Sequence, residues 1–214
     1  MSILSLSNVM NSQTIVSQQN KELSSSTPAQ HVAKLPGDLA MWFFILAELT
    51  VFAIFFIGFA IAEYQSPDMF SQGKQQLHQS AGLINTIALI TSSLFVALAL
   101  AQMHLNKGKQ AALLLILANL IAVIYIVVKI WEYQALFSQG ITIETNTFFT
   151  LYFLITMFHL MHVLLGMVIL IYIAKRAVSG AYDKGKVSGF ESGASYWHMV
   201  DLLWIILFPL IYVI

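Results

Sequence analysis

The 214-residue chain is 58% hydrophobic and only 9% charged, with no net formal charge at neutral pH and no cysteine, and its mean hydropathy is +0.78. These values exclude an ordinary soluble domain, and the missing cysteine excludes disulfides, thiolate ligands and thiol catalysis. Balanced charge also argues against a nucleic-acid partner.

Residues 1–36 are rich in Ser, Gln and Asn, lack a sustained hydrophobic period, and are expected to form a flexible cytoplasmic tail. The opening MSILSLSNVM has no charged n-region, so targeting is expected to fall to the first membrane segment. Residues 37–214 then form a membrane domain. Apolar runs long enough to cross a bilayer predict spans over about 39–62, 82–103, 111–131, 148–173 and 196–214. Asp38, after Pro36-Gly37, is placed to cap the first. The polar stretch EYQSPDMFSQGKQQLHQS between the first two spans predicts a loop with a short interfacial helix. The fold class is therefore all-α, a polytopic five-helix bundle.

Lys and Arg concentrate on alternate loops. Lys21 and Lys34 in the tail, Lys107 and Lys109 in the second turn, and Lys175, Arg176, Lys184 and Lys186 in the fourth link lie on one side; Lys74 and Lys129 lie on the other. Basic loops stay in the cytoplasm, so the expected topology is a bacterial inner-membrane protein with its N-terminus inside and its C-terminus outside.

Ionisable side chains within these spans define the candidate sites, because such groups in hydrocarbon must face protein or water. His159 and His162 lie in the apolar run FFTLYFLITMFHLMHVLLGMVILIYI. A rise of about 1.5 Å per helical residue places Glu48, on the first span, near His162 at mid-membrane, where the two can meet. Asn85, Ser92 and Ser93 join them as a predicted buried polar network. Glu132 and Tyr133 are expected toward the outer surface, and His198 and Asp201, spaced i and i+3, toward the cytoplasmic one. Trp42, Trp131, Trp197 and Trp204 are expected to be interfacial anchors.

Two readings compete at the histidines. Two imidazoles a turn apart suit a transition metal, but His31, His78, His104 and His198 are scattered and complete no ligand set. Thr156, His159, His162 and Gly166 also make one stripe of polar and small residues, as a helix-packing face in lipid would; that reading is preferred, with no metal and no catalytic residue assigned. Glu48 allows a proton-relay role beside its packing role. By chemistry alone, the sequence describes a five-helix membrane protein with internal polar contacts.

Five ordered segments carry a resemblance that goes further. FILAELTVFAIFF with Glu48, LINTIALITSS with Asn85 and Ser92, WEYQALF with Glu132, FHLMHVLLG with both histidines, and YWHMVDLLWIILFPLIYVI with His198 and Asp201 resemble successive helices of subunit III of the haem-copper oxidases. Where mitochondrial-type members have seven helices, this chain has five, and PGDLAMWFFILAELTVFAIFF is most similar to the NorE-type branch associated with nitric oxide reductase. The resemblance implies an accessory subunit that binds no haem or copper, holds a structural phospholipid, and supports the catalytic subunit of a cytochrome oxidase or nitric oxide reductase. The alternative from the residues themselves is a small transporter or proton-conducting protein built on Glu48, His159 and His162.

Overall fold

A computed structural model describes residues 39–182 and 187–213; the expected tail and the Asp38 cap lie outside them. The described residues form six helices in order: α1 Leu39–Gln65, α2 Pro67–Gln75, α3 Gln79–His104, α4 Gly108–Ser138, α5 Thr147–Val178 and α6 Ser188–Tyr212. All but α2 are long and apolar enough to cross a membrane, making this a multi-pass membrane protein. Helices are the form that apolar runs of this length take in lipid, since each satisfies its backbone hydrogen bonds internally.

Two helices run well past one end of their apolar runs, by seven residues at the end of α4 and eight at the start of α6, and both extensions carry polar side chains into the bundle. α4 continues through WEYQALFS to Ser138, so Lys129, Glu132 and Tyr133 lie within a helix rather than at its end. α6 starts at Ser188, eight residues before the apolar run, and Gly193 in this first part lies close against Ile169 and Ile173 of α5. Asn146 caps α5, its Oδ1 accepting from the Phe149 amide at 3.0 Å. Lys175 and Arg176 occupy the last turn of that helix, where cations complement the dipole.

α3 and α4 form an antiparallel hairpin, and α5 and α6 pack across it. Only 17% of the most apolar stretch of α1 is buried, against 56% in α6, so α1 is peripheral and α6 central. α1 leans on α5 and α6 through aromatic rings: Phe52 sits 5.1 Å from Phe158, and Phe44 stacks on Tyr196 at 6.0 Å. Short α2 folds back from the end of α1. It buries Phe70 edge-on against Phe59 and Phe148, and Lys74 donates to Glu63 at 2.5 Å.

Close approach of α6 depends on glycine. A Cβ at Gly166 of α5 would lie 2.8 Å from the Trp197 ring, and one at Gly82 of α3 would lie 2.7 Å from Phe208. Small residues allow helices to approach closely in lipid, where van der Waals contact carries much of the association. The stripe predicted on α5 does face inward: Thr156, His159, His162 and Gly166 are all buried.

Candidate functional site: three polar clusters inside the bundle

The polar residues gather in three clusters joined by aromatic rings. The first ties α1 to α5. His162 Nδ1 donates to the Phe158 carbonyl at 2.8 Å, which commits the proton on that nitrogen. Nε2 faces Glu48 Oε2 at 3.0 Å. One proton therefore lies between the ring and the carboxyl, and the pair is neutral as a unit whichever atom carries it. Neutrality suits a contact within a membrane span. Phe52 lies edge-on to the His162 ring at 5.3 Å and shields it.

His159, one turn earlier, faces a different set of neighbours. Its ring lies 5.3 Å from Trp204 and 5.8 Å from Tyr125. Neither of its nitrogens has a hydrogen-bond partner among the described residues. No group of three His, Cys, Asp or Glu side chains converges among those residues.

The second cluster binds α4, α5 and α6 together. Lys129, Glu132, Tyr152 and Tyr212 are all 0% exposed. Lys129 Nζ donates to Glu132 Oε2 at 2.8 Å, to Tyr152 Oη at 3.1 Å and to Tyr212 Oη at 2.8 Å. All three ammonium donors are used. Tyr212 Oη donates in turn to the Glu132 carboxylate, 2.9 and 2.8 Å from its two oxygens. The ammonium also lies 4.7 Å from the Tyr152 ring centre and 5.5 Å from that of Trp204, close enough for cation–π attraction. Beside this group, Tyr133 Oη and Thr156 Oγ1 meet at 2.8 Å. Because Thr156 Oγ1 donates its own proton to the Tyr152 carbonyl at 2.6 Å, Tyr133 is the donor.

The third cluster joins α3 to α6. Ser93 Oγ meets His198 Nδ1 at 2.6 Å, and Asp201, 8% exposed, lies beside them. Nearby, Ser92 Oγ donates to the Ala118 carbonyl of α4 at 2.9 Å. Asn85 is completely buried, but its side chain has no partner among the described residues.

Several expectations are corrected by these positions. Glu132 and Tyr133 are core residues rather than members of a surface layer, because the continued helix turns them inward. Ser93 is not in one network with Glu48 and the histidines; its partner is His198. Trp197 and Trp204 are buried packing residues instead of interfacial anchors. Trp204 also donates from Nε1 to Thr86 Oγ1 at 3.0 Å, linking α6 to α3. Trp131 is 52% exposed and lies 5.2 Å from the His78 ring, while Trp42 is half-buried on α1. Lys129 and Glu132, a charged pair expected at the end of the third span, pair instead in the buried core. Their i, i+3 spacing was the available signal.

Comparison with known proteins accounts for this architecture. Residues 4–214 match the family model of cytochrome c oxidase subunit III. The chain is 32% identical over 182 residues to cytochrome c oxidase subunit 3 of Prototheca wickerhamii, covering 80% of this chain and 67% of that one. It is 23% identical over 176 residues to a probable quinol oxidase subunit 3 of Staphylococcus saprophyticus, covering 82% and 88% respectively. A haem-copper oxidase subunit I+III of Aeropyrum pernix is 27% identical over 181 residues, which are 82% of this chain and 22% of that longer protein. With a match to the family model over nearly its whole length and five apolar helices among its described residues, the chain belongs to the cytochrome c oxidase subunit III family.

Proposed function

We propose that this chain serves a respiratory haem-copper complex as a non-catalytic scaffold, held in shape by its own polar clusters and docked beside the catalytic subunit. The match to the subunit III family over residues 4–214 carries this reading and makes the chain an accessory subunit of a respiratory oxidase. The internal chemistry is consistent with it. Glu48, His162, Lys129, Glu132 and His198 each make hydrogen bonds between or within helices of this chain, as groups that hold a bundle together would. The Aeropyrum relative carries subunits I and III in a single polypeptide, which supports a permanent neighbour of the subunit I type.

Topology follows from the basic loops. The ends of α3 and α5 and the starts of α4 and α6 bring Lys107, Lys109, Lys175 and Arg176 to one side, assigned to the cytoplasm of a bacterial inner membrane. The opposite side carries α2. A phospholipid seated between helices belongs to this proposal, as does the nitric oxide reductase-associated alternative, which rests on the wording of α1.

An affinity tag on the chain, purification in mild detergent and identification of the partner test the proposal. The expected result is a catalytic haem-copper subunit with its haem spectrum, and deletion of the chain should lower turnover of that complex while the haem remains bound. The partner's identity and its activity toward oxygen or nitric oxide separate the two branches. Recovery of the chain alone, together with proton or solute flux when it is reconstituted by itself, would overturn the scaffold reading in favour of a transporter.

A further inference from the structure

The centre of the bundle contains a polar group that the described residues do not satisfy. Asn85 of α3, Tyr125 of α4 and His159 of α5 are each 0% exposed. Both polar atoms of the Asn85 amide, the Tyr125 hydroxyl and both His159 ring nitrogens lack a hydrogen-bond partner among the described residues. The other buried atoms in this condition, on Gln102, Asn119, Trp197 and Asp201, belong to four separate side chains with one such atom each.

The helix registers bring these three residues to one level. Ser92 of α3 bonds the Ala118 carbonyl of α4; in antiparallel helices, seven residues back from Ser92 and seven forward from Ala118 lead to Asn85 and Tyr125. On the α6 side, Trp204 bonds Thr86, next to Asn85 in sequence. The Trp204 ring lies 5.0 Å from Tyr125 and 5.3 Å from His159, while Tyr125 and His159 are 5.8 Å apart. Asn85 supplies a donor and an acceptor, Tyr125 either, and a neutral His159 one of each.

An orphaned buried polar atom is costly, and natural cores satisfy such atoms with protein or with bound water. The Lys129 cluster, built from α4, α5 and α6, takes the first course, since all three of its ammonium donors have protein partners. We infer that the Asn85–Tyr125–His159 level takes the second and is a binding site for internal water, bridging α3, α4 and α5 beneath the Trp204 ring. Water suits it because the polar atoms include both donors and acceptors and carry no net charge to attract an ion. The site does not depend on which catalytic partner the chain joins.

Two measurements on the full chain in lipid bilayers test this site. With 15N-labelled histidine, water-edited solid-state NMR should show fast transfer from water to a ring nitrogen of His159, identified as the signal lost in H159Q. Transfer no faster than to buried aliphatic groups would overturn the proposal. Tyr125→Phe removes only a hydroxyl that has no partner among the described residues, so a dry core gains or is unchanged, whereas a hydrated one loses a bond. The expected result is a melting temperature lower by about 2 °C or more; an unchanged or raised value would overturn it.

Discussion

Replacing Lys129 by Met tests whether the buried ion pair supports the bundle. Met is close to Lys in length and shape but carries no charge and no donor, so it removes the hydrogen bonds to Glu132, Tyr152 and Tyr212 at 2.8, 3.1 and 2.8 Å while largely filling the same space. Glu132 then keeps the Tyr212 hydroxyl, shared between its two oxygens, but loses its cation, and must either stay charged or take up a proton. Removing one partner of a buried pair typically costs about 3–5 kcal/mol, and proton uptake by Glu132 would hold the loss near the lower figure. The double variant Lys129→Met with Glu132→Gln leaves no orphan charge. It should therefore be less destabilised than the sum of the single changes, by more than about 1 kcal/mol. Reversible unfolding in bicelles, followed by tryptophan fluorescence, reads this directly because Trp204 lies over the ammonium. A loss below about 1 kcal/mol for Lys129→Met, or strict additivity in the double variant, would refute the view that this pair fastens α4, α5 and α6.

Three further perturbations address the other contacts. Glu48→Leu and His162→Phe, with their double variant, should give a coupling of about 0.6–2 kcal/mol in the same assay, the usual worth of one interhelical hydrogen bond in lipid; zero coupling would mean that the 3.0 Å contact contributes nothing to stability. Gly166→Val should destabilise by about 1–3 kcal/mol, because its Cβ meets the Trp197 ring at 2.8 Å. Gly58→Ala, where nothing lies within 4 Å, should be neutral or slightly stabilising, and equal effects at both positions would remove the packing explanation. Single cysteines introduced at Ser2 and Val213 of this cysteine-free chain should label from the cytoplasmic and the outer side respectively, and the reverse pattern would invert the proposed topology.

Hydropathy alone determined the number of spans and their order, for a simple physical reason. A backbone in hydrocarbon must satisfy its own hydrogen bonds, so an apolar run of sufficient length becomes a helix wherever it sits. The same physics hides which face of each helix meets protein, because lipid and protein interior are both apolar. α1 exposes Ile54, Ile57 and Ile61, whereas α6 buries Leu203, Leu207 and Ile211, with side chains of the same kind. Polar residues carried more information, and the inward stripe of Thr156, His159, His162 and Gly166 could be read from spacing. Depth also brought Glu48 level with the histidines, but which ring it meets, and the partners of the other polar residues, could not be read. Helix rotation sent His162 to Glu48 and His159 to Tyr125 and Trp204, although the two rings are one turn apart. The extension of α4 to Ser138 turned Glu132 and Tyr133 from expected surface groups into core residues. Five helices in a membrane follow from the residues one by one; the pairs that lock them follow only from the angles at which those helices pack.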